Sequence, residues 1–524
     1  MPPPDHTASP AQTRKALSTL RPELVDAYDA ALPGARAAIL SRLLGALDRE
    51  PLPGVAARAP GVVTLQDGRT VMFPADAARA FAQPSPGLTT TLPESSHSDP
   101  GDLLRALALP SPHLDRLTTE VDNSVANLAL ARAARRNQDP GHREQDPGRR
   151  NQNPRHRKQD PGQQEQDLGR LEQQVTDGHP LHPCCRTRGA MTVADVLAYA
   201  PEHHPVIRLR RLRVPPERWH GDAEPVLYAH PWQAERLRDS YPWLTDDGDT
   251  APVRPLMSLR TVAPLDGGPH IKTAVDVQLT SAVRTVSPAA VHNGPVLSRL
   301  LRELTRDLPL HVLAEFGAGA VIVDGEPQRR LAHLRREAPH GTAVPLAALG
   351  EVLDDVVDDP YAWLESLATI LVPPLLTVLD RGVALEAHGQ NTLVVLDAGR
   401  PVRILYRDLG GVRVSPGRLK RAGFDPPVLL GDLPSDDPGV LRTKLAAAAF
   451  GTVAAELVAL LERRRGADPQ RLWHIIATHT RGTPEGRLLM SEPLPVKATT
   501  AMRLADDPLD DIWAHLDNPL AAYL

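Results

Sequence analysis

A seven-residue unit runs five times between Arg136 and Arg170, as RNQDPGH, REQDPGR, RNQNPRH, RKQDPGQ and QEQDLGR, and it cuts the 524-residue chain in two. A period of seven invites a coiled coil, but the units lack the apolar a and d positions that a coiled coil buries. Four of the five also carry a helix-breaking proline. With almost nothing apolar to bury, 136–173 is expected to be a disordered surface insertion. The flanking stretches are long enough for two or three domains. We expect an N-terminal lobe over 1–135, a β-rich lobe over 174–320 and a largely helical lobe over 321–524.

Aromatic residues make up only 3% of the chain, so its core must rest on Leu, Val and Ala. Apolar positions at helical spacing run from Pro22 to Arg49, with a break expected at Pro33-Gly34. Val62 to Leu65 and Thr70 to Phe73 flank Asp67-Gly68, a hairpin signal. A helix is expected over 114–136. Beyond the repeat, 205–214 and 271–286 read as strands and 294–308 as a helix. Short strands are expected at 320–324 and 392–397, the latter in a hairpin through Asp397-Ala398-Gly399-Arg400 to Tyr406. An Ala/Leu-rich helix is expected over 441–465. Strands mingled with helices and no regular βαβ rhythm favour an α+β architecture.

The net charge of −5 gives no footprint for nucleic acid. The two cysteines, Cys184 and Cys185, are adjacent and poorly placed to pair with each other, which suits a reducing cytoplasm. Pro-rich residues 1–10 carry no apolar core, so no secretory signal is expected. The longest apolar stretch, Trp363 to Leu379, contains Glu365 and Pro373-Pro374. It is expected to be a buried helix that stops at the prolines, not a membrane span.

Five polar clusters could carry chemistry. The first is Gly178-His179-Pro180-Leu181-His182-Pro183 followed by Arg186 and Arg188. It leaves open a zinc site with the two thiols, an anion site on the arginines, or a structural loop. The second is Ser258 and Arg260, which would face one side if they lie on a strand. The third is Lys272, Thr280, Ser281 and Arg284. Lys272 and Arg284 share a face only if the strand is unbroken. Guanidinium forks and an ammonium gathered on a sheet suit polyphosphate. The fourth joins Glu386, His388, Gln390 and Asn391, around Gly389, to Arg407-Asp408-Leu409-Gly410-Gly411. The amides of Gln390 and Asn391 can read a base or ribose, and a carboxylate such as Asp408 at a strand end can hold Mg²⁺ near phosphates. The fifth is Lys497 and Arg503, whose spacing puts them on different faces of a straight helix. No GxxxxGK[ST] loop, GxGxxG fingerprint or kinase signature is present, so an ATP site would be an unusual one.

Taken in order, these clusters resemble the IucA/IucC-like family of siderophore synthetases that work without a nonribosomal peptide assembly line. The resemblance runs from about Ser124 to the C-terminus. It is carried by the GHPxHP loop at Gly178 to Pro183, Tyr199-Ala200-Pro201-Glu202, and an SxRT motif at Ser258, Arg260 and Thr261. Further along come Lys272, a TSxxRT motif at Thr280, Ser281, Arg284 and Thr285, and Asn293-Gly294-Pro295. ExHxQN at Glu386 to Asn391, RDxGG at Arg407 to Gly411, and Lys497 with Arg503 complete it. Two positions depart from the pattern: Arg186 stands where the family has lysine, and Ala190 where it has glycine.

The resemblance implies a cupped hand of three lobes, thumb, fingers and palm, with ATP in a central cleft. It implies that Arg284, His388 and Lys272 act in catalysis. Ser258, Arg260, Lys272, Arg284, His388, Gln390, Asn391 and Asp408 would bind ATP, with Glu386 and Asp408 near Mg²⁺. His179, Thr280, Ser281, Arg188 and Lys497 would face the substrate. The implied reaction is adenylation of a carboxylic acid, citrate or a succinyl derivative, followed by condensation with an amine or alcohol. A homodimer and a cytoplasmic location are implied too. The competing readings are a relative that binds a polycarboxylate or siderophore without turnover, and a phosphotransferase at the same site.

Overall fold

The computed structural model describes residues 7–138, 167–280, 282–508 and 510–524. Most of the repeat and Ser281 lie outside the described residues.

The N-terminal part is built on the long helices Val25–Arg49 and Leu114–Gln138, which pack along each other, beside a five-stranded antiparallel sheet over 55–97. Pro33-Gly34 does not break the first helix. A proline inside a helix costs about 3 kcal/mol, and here buried side chains on both sides of it, from Leu24, Tyr28 and Ala31 to Ile39, Leu40, Leu43 and Leu44, outweigh that cost. Gly34 also leaves room for Arg132 of the neighbouring helix, whose guanidinium a Cβ would meet at 3.4 Å.

A six-stranded antiparallel sheet forms the centre, in the order Val253–Pro255, Thr261–Pro264, His270–Thr273, Glu326–Arg336, Glu315–Val323 and Trp219–Gly221. The strand expected over 271–286 is broken into His270–Thr273, Gln278–Leu279 and Ala282–Val283. The break falls at Thr280, whose φ of 60° is left-handed and ends any extended run. The following helix, Pro288–Leu304, starts earlier than 294 because Ser287 caps it, its side chain accepting from the Ala290 amide.

In the C-terminal part, the hairpin Thr392–Asp397 and Arg400–Tyr406 lies in a four-stranded sheet with Leu310–Val312 and Ala343–Pro345. The helix Pro360–Arg381 packs on it and runs straight through Pro373-Pro374. The expected stop does not occur, because Leu371 and Val372 before the prolines and Leu375, Leu376 and Leu379 after them all sink into one core. Helical structure over 438–465 contains a wide π segment, Ala446–Ala454. Gly451 lies within it, where a Cβ would come 2.5 Å from the Pro495 carbonyl. Three helical stretches, 22–49, 360–381 and 438–465, are long and apolar enough to cross a membrane by length and composition, and most of each is packed inside the protein.

The end of the chain returns to the N-terminal part. Val496, Ala498, Ala501 and Leu504 join its core, and Glu50 accepts from the Thr500 and Ala501 amides at 2.8 Å each. The fold is α+β, and its last 30 residues tie the two ends of the chain together.

Candidate active site

Lys272 is placed by its strand. It sits opposite Thr261 on one side and Leu334 on the other, in the middle of the central sheet. Ser258 and Arg260 are not on a strand. They occupy the tight turn before Thr261–Pro264, with Leu259 at φ 63° and the Thr261 amide donating to the Ser258 hydroxyl at 3.3 Å. Expecting them to face the same way by strand alternation was therefore wrong, and the turn brings Arg260 in by another route. Its carbonyl accepts from the Thr273 amide at 2.9 Å and its guanidinium donates to the Thr285 carbonyl. Arg284 reaches the same place through backbone bonds to Val275 and Val277. The three cations thus come from a turn, a strand and a separate hairpin arm, not from one continuous strand.

Asp408 lies among them. It follows the strand Arg400–Tyr406, takes φ 71°, and pairs with Lys272 Nζ at 2.5 Å. Burial opposes its ionisation, but Lys272 and Arg260 outweigh burial and hold the carboxyl well below its usual range. Burial presses Lys272 towards its neutral form, with Asp408 opposing. Arg284 is pushed down to about 10 by burial and then by Arg260. Its guanidinium makes no hydrogen bond or ion pair among the described residues. A half-buried cation with no partner among the described residues, beside two others, is poised for an anion.

Arg407 turns the opposite way from Asp408. It pairs with Glu172 at 2.7 Å, both side chains nearly fully buried, and donates through Nε to the Gln390 carbonyl at 3.0 Å. This fixes the strand end against the Glu386–Asn391 turn. Gly389 is required there, since a Cβ would lie 2.9 Å from the Ala347 amide. The side chains of His388, Gln390 and Asn391 make no hydrogen bond among the described residues and remain available to a ligand. Burial keeps His388 neutral, with Glu386 and Asp408 pulling the other way.

Glu386 has its own counter-ions. Lys444 at 3.5 Å and Lys497 at 3.4 Å share it with Asp511, which lies 3.2 and 3.0 Å from the same two ammonium groups. Burial would raise the Glu386 carboxyl, but Lys497 and Lys444 prevail and lower it. Lys497 therefore sits on the edge of the site through Glu386, while Arg503 does not. Arg503 is buried in an ion pair with Glu120, not with a surface carboxylate.

The remaining residues split. His179 is in electrostatic contact with His388 and Lys497, and burial and then His388 depress it to about 3. Thr280 stands at the hairpin turn beside Arg284's strand, and Ser281 lies outside the described residues. Arg188 is not open to a substrate. It and Arg186 pair with Glu202, at 2.9 and 3.2 Å, in a fully buried cluster. The anion that this arginine pair holds is the chain's own carboxylate, from the Tyr199-Ala200-Pro201-Glu202 segment. The thiols and histidines of that loop have other partners. The Cys184 amide donates to His182 Nδ1 at 3.0 Å, and Arg42 donates to Cys185 Sγ at 2.9 Å. Among the described residues no three His, Cys, Asp or Glu side chains gather as a metal site.

Sequence reasoning missed Glu315, Lys444 and Asp511. Glu315 is buried between Lys272 and Asp408 and accepts from the Leu409 amide at 3.3 Å. Burial raises its carboxyl and Lys272 lowers it, with the upward push winning. It lies in no polar cluster of the sequence, and Lys444 is hidden in an Ala/Leu-rich helix.

Residues 167–225 and 220–351 match the IucA/IucC family model. Over that central part the chain is similar to the IucA/IucC family. Residues 361–507 match a second model, described as ferric iron reductase FhuF-like transporter. Among relatives of the family, staphyloferrin A synthase of Staphylococcus aureus (strain NCTC 8325 / PS 47) is 28% identical over 419 residues, covering 66% of this chain and 72% of that one. The petrobactin biosynthesis protein AsbB from Bacillus anthracis str. Sterne shares the fold with a TM-score of 0.77 at 17% identity, over 96% of this chain and 98% of that one. ATP-bound aerobactin synthetase IucA from a hypervirulent pathotype of Klebsiella pneumoniae does so with a TM-score of 0.70 at 20% identity, over 93% and 99%. Likeness at these identities shows the shared fold, which is α+β.

Proposed function

We propose that the chain is an ATP-dependent ligase of siderophore assembly that adenylates a carboxylic acid and joins it to an amine or alcohol. The observation that carries the reading is the unpartnered Arg284 guanidinium beside Arg260 and the Lys272–Asp408 pair, facing the open side chains of the Glu386–Asn391 turn. Three fixed cations around one anionic ligand are what phosphoryl chemistry needs, since they oppose charge that grows as the bond to the leaving group breaks. The similarity to proteins named as synthases and synthetases supports the same reading.

In the first step a substrate carboxylate oxygen attacks the α-phosphorus of ATP, the bond to the β-phosphate bridge breaks, and pyrophosphate leaves. Arg260, Lys272 and Arg284 balance the charge on the phosphoryl oxygens. In the second step the amine nitrogen bonds to the acyl carbon, the carbon–oxygen bond to AMP breaks, and a nitrogen proton is lost. His388 and His179, both kept neutral by burial, flank this side. His388 offers a ring nitrogen as a hydrogen-bond acceptor, while His179 Nδ1 already accepts from the Leu181 amide at 3.2 Å, which leaves its Nε2–H as a donor.

Mg²⁺ commonly enters such sites on one or two carboxylates plus substrate phosphates. Asp408 fits that role, being ionised and partly exposed. Glu386 does not, because two lysines already hold it. The ion would supply further positive charge at the phosphates. Two buried free thiols are consistent with a reducing cytoplasm.

The test is the nucleotide product. Purified protein is given ATP, Mg²⁺ and, in turn, citrate, a succinyl hydroxamate and 2-oxoglutarate, with hydroxylamine as acceptor. AMP that appears only with one acid is the expected result. ADP would make the protein a phosphotransferase, and neither nucleotide with any acid would make it a binding protein.

A further inference from the structure

Away from the Lys272–Asp408 pair, a cavity of about 560 Å³ opens between the helix Val25–Arg49, the end of the helix Leu114–Gln138, the loop before His179 and the helix Ala455–Arg465. It meets the candidate active site at Gly389 and at Gly178 and Pro180, the neighbours of His179. Most charges on its wall are already neutralised within the protein. Arg132 pairs with Asp177, Arg135 with Glu351 and Arg464 with Asp354, and Arg42 spends its donors on the loop carbonyls and the Cys185 sulfur.

Besides Arg42, three charged groups on the wall have no ion pair among the described residues, Arg136, Glu456 and Arg463, and the last two share one helix face. Glu456 makes no hydrogen bond among the described residues, and Arg463 donates only to the Phe81 carbonyl. They are seven residues apart, two turns or about 10 Å along the axis, with Leu460 between them on the cavity wall. Burial lifts the Glu456 carboxyl to about 7, with Arg463 and then Arg42 opposing. An ammonium beside it would restore its charge. The helix also links the two sites. Lys444, before the π segment, faces Glu386, and Glu456, after it, lines the cavity.

We infer that this cavity binds the amine substrate, and that this substrate is a diamino acid: its carboxylate on Arg463, one ammonium on Glu456, its stem over Leu460, and the second amine free to reach the active site past Gly389. This rests on the ligase reading. A plain polyamine has nothing to offer Arg463.

The experiment compares binding of ornithine and putrescine to the full-length protein by titration calorimetry, alongside acid-dependent pyrophosphate exchange. Ornithine is expected to bind about tenfold or more tightly than putrescine, the scale of one charged hydrogen-bonded contact. Arg463→Ala should erase the difference. Leu460→Trp, which fills the cavity and touches neither charge, should weaken ornithine while exchange continues. Equal binding of the two amines, no binding of either, or ornithine affinity untouched by both variants would overturn the site. Exchange absent in the parent, with ornithine binding still lost in Leu460→Trp, would instead leave the site standing and refute the ligase reading.

Discussion

Replacing Arg284 by alanine should separate stability from activity. Among the described residues Arg284 has no ion pair to lose, and burial brings its pKa from 12.5 down to about 10 in the folded protein. A base whose folded pKa is depressed costs the fold energy at every pH below that value, so at pH 7 the charge is a burden. At 1.36 kcal/mol per unit the shift corresponds to roughly 3 kcal/mol, and partial exposure reduces it to about 1–2 kcal/mol. Arg284→Ala should therefore leave the urea midpoint unchanged or raise it. Activity should move the other way, because a cation aimed at developing charge is worth about 10²–10³ in rate. The assays are urea unfolding by circular dichroism and acid-dependent pyrophosphate release under saturating ATP. A variant that loses stability as well as activity would mean that Arg284 has a structural partner. A variant with full activity would remove it from the chemistry.

Two further predictions concern the fold. Ala190 stands at φ 71°, so Ala190→Gly should stabilise the protein by about 0.5–1 kcal/mol in urea unfolding, as glycine adopts that conformation without strain. Glu50 is buried under the 494–504 segment, and burial raises its carboxyl to about 7, with the Ala501 and Thr500 amides opposing. An acid with a raised folded pKa lends stability that is present below its unfolded value and lost as pH rises to about 7. The parent should therefore weaken by about 2–3 kcal/mol between pH 4.5 and 7 through this group, and Glu50→Gln should flatten that slope. An unchanged slope in the variant would show that Glu50 is not its source.

The hairpin Thr392–Asp397 and Arg400–Tyr406 was legible in the sequence because a local signal, β-branched runs around Asp-Ala-Gly, is enough to make it. The helices that run through Pro33 and Pro373-Pro374 were not, since burial from elsewhere in the chain decides them. The same division runs through the site. The polar turns that present His388, Asn391 and Asp408 stand out as dense motifs. Their counter-charges do not: Glu172 for Arg407, Glu202 for Arg188 and Asp511 for Lys497 come from distant segments with no local signature. Arg188 reads as a substrate ligand in the sequence and as a buried ion pair in the structure for that reason. Lys272 and Arg284 could share a strand face only on an unbroken strand; the strand expected over 271–286 is broken at Thr280, whose conformation is rare for its type, and the two meet through a hairpin instead.

The most direct test of the central claim is exchange of labelled pyrophosphate into ATP by the parent protein, with each carboxylic acid in turn and no amine present. The account predicts exchange that requires one acid and falls by about 10²–10³ in Arg284→Ala. Exchange independent of any acid, or none with any acid while ATP is turned over to ADP, would contradict it.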